Sequence, residues 1–200
     1  SARAQEGLKL WYDKPAGEWV EALPVGNGRI GAMVFGGVSS ELIRLNESSL
    51  WSGCPVQDSL NIDAPCYLPL IRKVLFEGDF STAAQGCRFM QGPYSASYLP
   101  LGDLHISYMM PRSAPTDYRA LNLSEASAVT RFTVAGITYE REVFASSSDD
   151  VLAVRLTASR KNSLSLHITL SSPLHYELEA PAFDELTMRG VAPIRVDPDY

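Results

Sequence analysis

The chain has 200 residues, 46% hydrophobic and 20% charged, and its 17 Lys and Arg against 23 Asp and Glu give a net charge of −6. This acidic balance, with no basic cluster, excludes binding to nucleic acid or to an anionic membrane surface through lysine and arginine, and no apolar run approaches the ~20 residues that span a bilayer. The length suffices for one sizeable core, and the abundant aromatic, β-branched, Gly and Pro residues favour a turn-rich sheet protein.

The N-terminal region predicts a small β meander. Strand-like runs at 8–12, 29–35 and 41–45 are separated by segments that contain Gly or polar turn residues, which favour reversals of the chain. None of these runs has the periodicity of a helix, so we expect short strands throughout this region.

Residues 60–91 predict a helical hairpin instead. Asp63 can cap a first helix, in which apolar residues recur at spacings of three and four. Gly78 ends this helix, and Asp79 can begin a second, shorter one. The apolar stripe of the first helix is formed by Leu68, Ile71 and Leu75.

From residue 98 onward the hydrophobic pattern has a period of two, which is typical of half-buried strands. The runs 129–134 and 137–144 flank Ala135-Gly136, a connection of hairpin length. Further strand-like runs lie at 151–156, 164–170 and 186–196. The predicted fold class is mainly β, an antiparallel β-sandwich or super-sandwich with a short helical hairpin insertion.

The three cysteines, Cys54, Cys66 and Cys87, are too few for a disulfide-dependent scaffold and contain no C-x-x-C. We expect three small buried thiols, and a Cys54–Cys66 or Cys66–Cys87 bridge is the alternative.

The N-terminus favours export. Ala2-Arg3-Ala4 has the A-x-A form that signal peptidase leaves at a cleavage site. We therefore interpret residues 1–7 as a disordered, processed N-terminus or a cloning remnant, and expect a periplasmic or extracellular protein.

The glycine-rich segment 26–31 matches G-x-G-x-x-G, and Glu47 lies where the acidic ribose partner of a dinucleotide site belongs. A dinucleotide site also needs a buried strand before the glycines and a helix after them. Here Pro24 interrupts the preceding run and a short β-like run follows. We therefore predict a tight turn that leads into a strand, and no nucleotide cofactor.

Patterns for catalysis or metal binding are weak. The three histidines are scattered and predict no metal site, and neither G-x-S-x-G nor H-E-x-x-H occurs. Glycoside hydrolysis needs two carboxylates that flank a sugar, and the sequence does not show which of its carboxylates face each other. Tryptophan can stack on a sugar, yet we expect each one in the core. The tryptophans are Trp11, Trp19 and Trp51.

Three further segments are more specific. They read WVEALPVGNGRIGAMVFGG at 19–37, IRLNESSLWSG at 43–53 and YLPLGDL at 98–104. Together with LKLWYDKPA near residue 8, they resemble the N-terminal domain of glycoside hydrolase family 95, which contains α-L-fucosidases and α-L-galactosidases. The resemblance runs in order to the C-terminus.

The resemblance implies a β-sandwich N-domain followed by a linker, a catalytic (α/α)6 barrel and a C-terminal β domain. It implies exo-acting, inverting removal of terminal α-L-fucose or α-L-galactose, with a Glu as general acid and an Asp that activates water through Asn side chains. Those residues belong to the barrel, so we predict no catalytic residue, metal or cofactor in this chain. We expect residues 8–200 to be the N-domain, incomplete at its C-terminus and inactive alone.

The partners that the resemblance implies are the catalytic barrel of the same polypeptide and fucosylated or L-galactosylated glycans. Segments 26–31 and 46–53 are polar and Gly-rich where a core needs neither, so we hypothesise that they face the barrel and shape its sugar site. The candidate interface or substrate residues are Arg29, Asn46, Glu47 and Trp51. The alternative is a free-standing carbohydrate-binding sandwich module. An apolar face exposed toward the barrel is also expected.

Overall fold

The computed structural model divides the chain into two units, residues 1–50 with 99–192 and residues 51–98 with 193–200. The predictions for Cys54 and for the first six residues lie outside the part of the chain that the structure describes. The described residues are 7–53, 61–92, 96–109 and 116–196.

Among its described residues, the first unit contains twelve antiparallel strands. They are β1 Lys9–Tyr12, β2 Leu23–Gly26, β3 Ile30–Val34, β4 Ser40–Glu47, β5 Gly102–Tyr108, β6 Thr116–Asn122, β7 Ser127–Val134, β8 Ile137–Ser146, β9 Val151–Ala158, β10 Leu166–Ser171, β11 Tyr176–Ala182 and β12 Glu185–Gly190.

These strands form a β-sandwich. One sheet has the order β1-β6-β7-β8-β9, the second has the order β10-β5-β4-β3-β2, and β11 and β12 form a separate ribbon. The hairpin between β7 and β8 turns at Ala135 and Gly136, whose φ angles of +50° and +73° fit a primed turn and confirm the predicted connection. The predicted fold class is confirmed.

The core lies between the two five-stranded sheets and alternates along each strand. Phe132 and Val143 from the first sheet pack with Ile43 and Ile106 from the second, and all four side chains are buried. The ring of Tyr108 meets Phe132 edge-on, with centroids 5.4 Å apart. The period-two pattern in the sequence therefore reflects one buried face on each sheet.

A fully buried ion pair joins the two sheets. Arg141 on β8 pairs with Glu41 on β4, and both side chains are 0% exposed. The second carboxylate oxygen of Glu41 accepts hydrogen bonds from the N–H groups of Phe35 and Gly36, at 3.0 and 2.9 Å. Burial lowers the pKa of Arg141 to about 9, which leaves it charged at neutral pH. The pair thus fixes the loop that follows β3.

Two glycines make that loop possible. Gly36 has a φ of +76°, and a Cβ there would lie 2.6 Å from the Arg119 side chain. A Cβ on Gly37 would overlap the carbonyl oxygen of Ser40. Arg119 itself is buried and donates hydrogen bonds to the carbonyl oxygens of Lys14 and Glu21, each at 2.7 Å.

The second unit contains the predicted helical hairpin, with α1 at Ala64–Phe76 and α2 at Phe80–Arg88. Asp79 caps α2 through a hydrogen bond from the Thr82 N–H, at 3.0 Å. Asp63 occupies the cap position of α1 without a side-chain hydrogen bond. In the part of the chain that the structure describes, no helix has the length and apolar character to cross a membrane.

Burial in the second unit differs from the prediction. Of the predicted apolar stripe only Ile71 is buried, while Leu75 is 45% exposed. Cys66 and Cys87 are both free and exposed, so the expectation of buried thiols was wrong for these two. The alternative of a bridge between them is also wrong.

Four strands of the first unit, β2, β5, β6 and β11, do not coincide with a predicted run. β2 contains Pro24, which we expected to interrupt the run. Because β2 is the edge strand of its sheet, Pro24 needs no N–H partner on its outer side, and this position tolerates proline. Among the other three, β11 supplies the partner of β12.

The tryptophans are not core residues. Trp11, Trp19 and Trp51 are 62%, 53% and 48% exposed, which corrects the expectation that each is buried. Trp11 lies on β1, an edge strand of the first sheet, and Trp19 lies in a short 3-10 helix. Edge strands and single-turn helices cover a large indole on one side only.

Candidate functional site

The turn between β2 and β3 carries Arg29 and is shaped by Asn27. The Oδ1 atom of Asn27 accepts hydrogen bonds from the backbone N–H groups of Arg29 and Ile30, at 3.0 and 2.8 Å. Gly28 has a φ of +95°, which side chains rarely tolerate. The glycine motif therefore forms a tight turn that leads into β3, as predicted, and no helix follows it.

The guanidinium of Arg29 bridges two carboxylates. Its Nε lies 3.2 Å from Glu47 Oε1 at the end of β4, and its Nη1 lies 2.6 Å from Asp150 Oδ2, just before β9. The hydrogen bond with Glu47 and the charge of Asp150 raise the pKa of Arg29. This arrangement joins the turn to both sheets of the sandwich.

Glu47 is held by further contacts. Its Oε2 accepts hydrogen bonds from the hydroxyl and the N–H of Ser49, at 2.6 and 2.9 Å. These bonds, and then the contact with Arg29, lower the pKa of Glu47. Glu47 is therefore ionised at neutral pH and fixed in orientation.

Asn27 also fastens the turn to the loop between β8 and β9. Its Nδ2 donates hydrogen bonds to the Ser146 carbonyl oxygen at 2.8 Å and to Asp150 Oδ1 at 3.1 Å. In the same loop Asp149 accepts hydrogen bonds from the hydroxyls of Ser146 and Ser148, which lower the pKa of Asp149. We call the connected side chains the Arg29 cluster. The Arg29 cluster comprises Asn27, Arg29, Glu47 and Asp150.

The structure brings together two of the four predicted site residues. Arg29 and Glu47 meet in the Arg29 cluster, and Asn46 is their neighbour on β4, half-buried and paired with Gly31. Trp51 belongs to the second unit, where its ring meets Tyr98 edge-on with centroids 4.9 Å apart.

Sequence reasoning missed Asn27 and Asp150. Asp150 ends the polar run SSSDD between β8 and β9, which signals a turn. Nothing in that run indicates that it meets a turn of the other sheet. The contact depends on how the sheets pack, so pairing Arg29 with Asp150 required the structure.

The Arg29 cluster is suited to positioning rather than to proton transfer. A general acid works best with a pKa near the operating pH, whereas the pKa of Glu47 is lowered and its oxygens are engaged in hydrogen bonds. Among residues 7–53, 61–92, 96–109 and 116–196, no group of three or more His, Cys, Asp or Glu side chains could hold a metal ion.

Comparison with known proteins places this sandwich among the N-terminal domains of glycosyl hydrolases. A family model described as "Glycosyl hydrolase family 65, N-terminal domain" matches residues 10–200. The chain belongs to this family. This match and the resemblance in the motif segments both indicate the N-terminal domain of a glycoside hydrolase.

This glycosyl hydrolase N-terminal domain is similar to two curated proteins. It is 35% identical over 187 residues, 92% of the chain, to "Alpha-L-fucosidase 2" of Arabidopsis thaliana. It is 32% identical over 182 residues, 86% of the chain, to "Probable alpha-fucosidase A" of Aspergillus niger. The domain spans 22% of the length of each relative.

Proposed function

We propose that residues 8–200 are the N-terminal sandwich domain of a family 95 glycoside hydrolase, whose catalytic (α/α)6 barrel lies elsewhere in the same polypeptide. The observation that carries the proposal is the similarity to two proteins named fucosidases, of which the chain spans 22%. The family 65-type N-domain match and the motif segments at 19–37 and 43–53 support it.

The reaction proposed for the parent polypeptide is removal of a terminal α-L-fucose, or α-L-galactose, from a glycan with inversion. In such a reaction an acid protonates the leaving oxygen while a base activates water on the opposite face of the sugar. Glu47, with its lowered pKa, is a poor proton donor. We therefore assign both catalytic groups to the barrel and none to this chain.

The role proposed for this chain is to support and shape the sugar site of the barrel. The Arg29 cluster holds an exposed turn in one conformation through charged hydrogen bonds, and Trp51 offers an aromatic surface that is 48% exposed. We propose that Arg29, Asn46, Glu47 and Trp51 face the barrel.

The A-x-A pattern at the N-terminus supports export to the periplasm or the extracellular space.

The activity is tested on the parent polypeptide with 2′-fucosyllactose by proton NMR. We expect β-L-fucose to appear before mutarotation, because inversion of an α-linkage gives the β anomer. An α-L-galactoside tested in parallel decides between the two sugars. Initial release of the α anomer, or no release from either substrate, contradicts the proposal.

The interface role is tested with Trp51→Ala in the parent polypeptide. We expect a lower kcat/KM, because an aromatic contact at the sugar site is lost. Trp19→Ala is the matched control, since Trp19 is equally exposed, at 53%, and we expect it to keep the parent's kcat/KM. Unchanged kcat/KM and unchanged thermal stability in Trp51→Ala would show that Trp51 has no such role.

A further inference from the structure

The outer face of the first sheet carries a cleft that the Arg29 cluster does not use. Its volume is about 550 Å³, within the ~300–1,000 Å³ of typical small-ligand sites. It lies over three neighbouring strands, β1, β6 and β7. The side chains that line it are Lys9, Trp11, Tyr118, Ala120, Asn122 and Val129.

Strand register explains why a cleft forms here. Trp11 on β1 is directly opposite Ala120 on β6, which is in turn opposite Val129 on β7. The small Ala120 leaves space between larger neighbours, and Tyr118 lies two residues along the same face of β6. Two aromatic side chains therefore border a depression whose floor is a methyl group.

The rim of the cleft is polar. Lys9 and Asn122 are paired across β1 and β6 and supply an ammonium and an amide. Asn122 accepts a hydrogen bond from the Ser124 N–H and donates one to Glu125, which leaves one amide hydrogen and one carbonyl lone pair for a ligand. The cleft thus combines aromatic surface with hydrogen-bonding groups.

Two arginines of the same sheet are compensated by carboxylates. Arg131 pairs with Glu140 and Arg155 pairs with Glu142, each at 2.7 Å. An anionic polymer would need a cluster of uncompensated basic groups. A neutral ring with one C–H face and several hydroxyl groups matches this combination of aromatic rings, amide and ammonium better.

We propose that this cleft, here called the Trp11 cleft, binds a neutral sugar ring and gives the sandwich a glycan site of its own. The C–H face of the sugar packs on Trp11, and its hydroxyls reach Asn122 and Lys9. The proposal rests on the lining of the cleft and not on the proposed fucosidase activity.

The test is a titration of the isotope-labelled 200-residue chain with 2′-fucosyllactose, followed by two-dimensional NMR. We expect saturable shifts at the Trp11 indole N–H and at the Ala120 and Asn122 amides. Trp11→Ala should weaken binding at least about tenfold, since the stacking surface is lost. Trp19→Ala, which removes an equally exposed indole outside the cleft, should bind as the unaltered chain does.

Three outcomes would overturn the proposal. The first is the absence of any NMR shift at the cleft residues up to the highest sugar concentration of the titration. The second is equal affinity in Trp11→Ala and Trp19→Ala. The third is self-association of the chain, measured by sedimentation, that Trp11→Ala abolishes while sugar binding is unaffected, which would assign the cleft to a second copy. None of these outcomes changes fucose release by the parent polypeptide, so failure here is distinguishable from failure of the proposed function.

Discussion

The interior and the surface of the sandwich use the same chemistry with different consequences. Glu41–Arg141 and Glu47–Arg29 both place a guanidinium against a carboxylate. The interior pair is 0% exposed, whereas the Arg29 side chain is 66% exposed. Solvent screens the charges of the surface pair, so breaking it costs little free energy, whereas breaking the interior pair leaves a buried charge without a countercharge.

The two pairs also hold different parts of the chain. Glu41 binds the backbone of Phe35 and Gly36, and Arg141 binds the Gly37 carbonyl oxygen at 2.8 Å. Arg29 instead holds the side chains of Glu47, at the end of β4, and of Asp150, in the loop before β9. A surface that can be altered without unfolding the domain is free to acquire a function. We therefore assign stabilisation of the fold to the interior pair and the positioning of an exposed turn to the Arg29 cluster.

The largest effect is expected from Arg141→Met. This change leaves the Glu41 carboxylate buried without its charge partner, which costs about 3–5 kcal/mol of the free energy of unfolding. Urea denaturation followed by circular dichroism measures it. A loss of unfolding free energy as small as that expected for Arg29→Ala would contradict the stabilising role of the interior pair.

The matched control is the double variant Glu41→Gln with Arg141→Met. The Gln side chain keeps an oxygen for the N–H groups of Phe35 and Gly36 but carries no charge. The buried Nε of Arg141 has no hydrogen-bond partner among the described residues. Replacing Arg141 therefore removes one buried polar group whose hydrogen bonding is incomplete. We expect the double variant to be more stable than Arg141→Met alone.

Gly37→Ala tests the loop after β3, which the interior pair holds. Its Cβ would overlap the Ser40 carbonyl oxygen, and relieving that overlap costs about 1–3 kcal/mol. Gly7→Ala is the control, because a Cβ at Gly7 meets no atom within 4 Å. Equal stability of the two variants would show that the loop does not depend on close approach at Gly37.

A smaller loss of stability is expected from Arg29→Ala. This change removes the bridge between Glu47 and Asp150, both of which remain solvated. The loss should be less than that of Gly37→Ala and should shrink at ionic strengths near 1 M, where the Debye length is about 3 Å. Thermal denaturation at low and high salt measures it. A loss that is large and independent of salt would contradict the surface assignment.

The smallest effect is a pH dependence at Glu47. Its pKa is lowered from the ordinary value of 4.5, so its stabilising contribution is present above that value and is lost as the pH falls through the lowered pKa. Glu47→Gln should therefore be less stable than the unaltered chain at pH 7 and equal to it in strong acid. Denaturation curves of both proteins, measured from pH 7 to strong acid, test this expectation. A stability difference that persists in strong acid would contradict an ionic role of Glu47.

Local features of the fold were predictable from the sequence. Segment 26–31 indicated a tight turn because Gly28 needs a positive φ, and Ala135-Gly136 indicated a hairpin for a similar reason. Asp79 predicted the start of α2 because its side chain meets a nearby N–H. In each case the interaction that decides the structure lies within a few residues.

Features that depend on distant pairing were not predictable. The exposure of Trp11 follows from the position of β1 at a sheet edge, where it pairs with β6. The strand character of Pro24 likewise follows from the edge position of β2. The contact between Arg29 and Asp150, and the burial of Arg141, depend on how the sheets face each other, which no local pattern encodes.

The measurement that tests the central claim most directly is fucose release from 2′-fucosyllactose by the purified 200-residue chain, assayed beside the parent polypeptide. We expect release by the parent and none above the buffer control by the chain alone, because the proposed function assigns the catalytic acid and base to the barrel. Fucose release by the isolated chain at a rate comparable with the parent would contradict it.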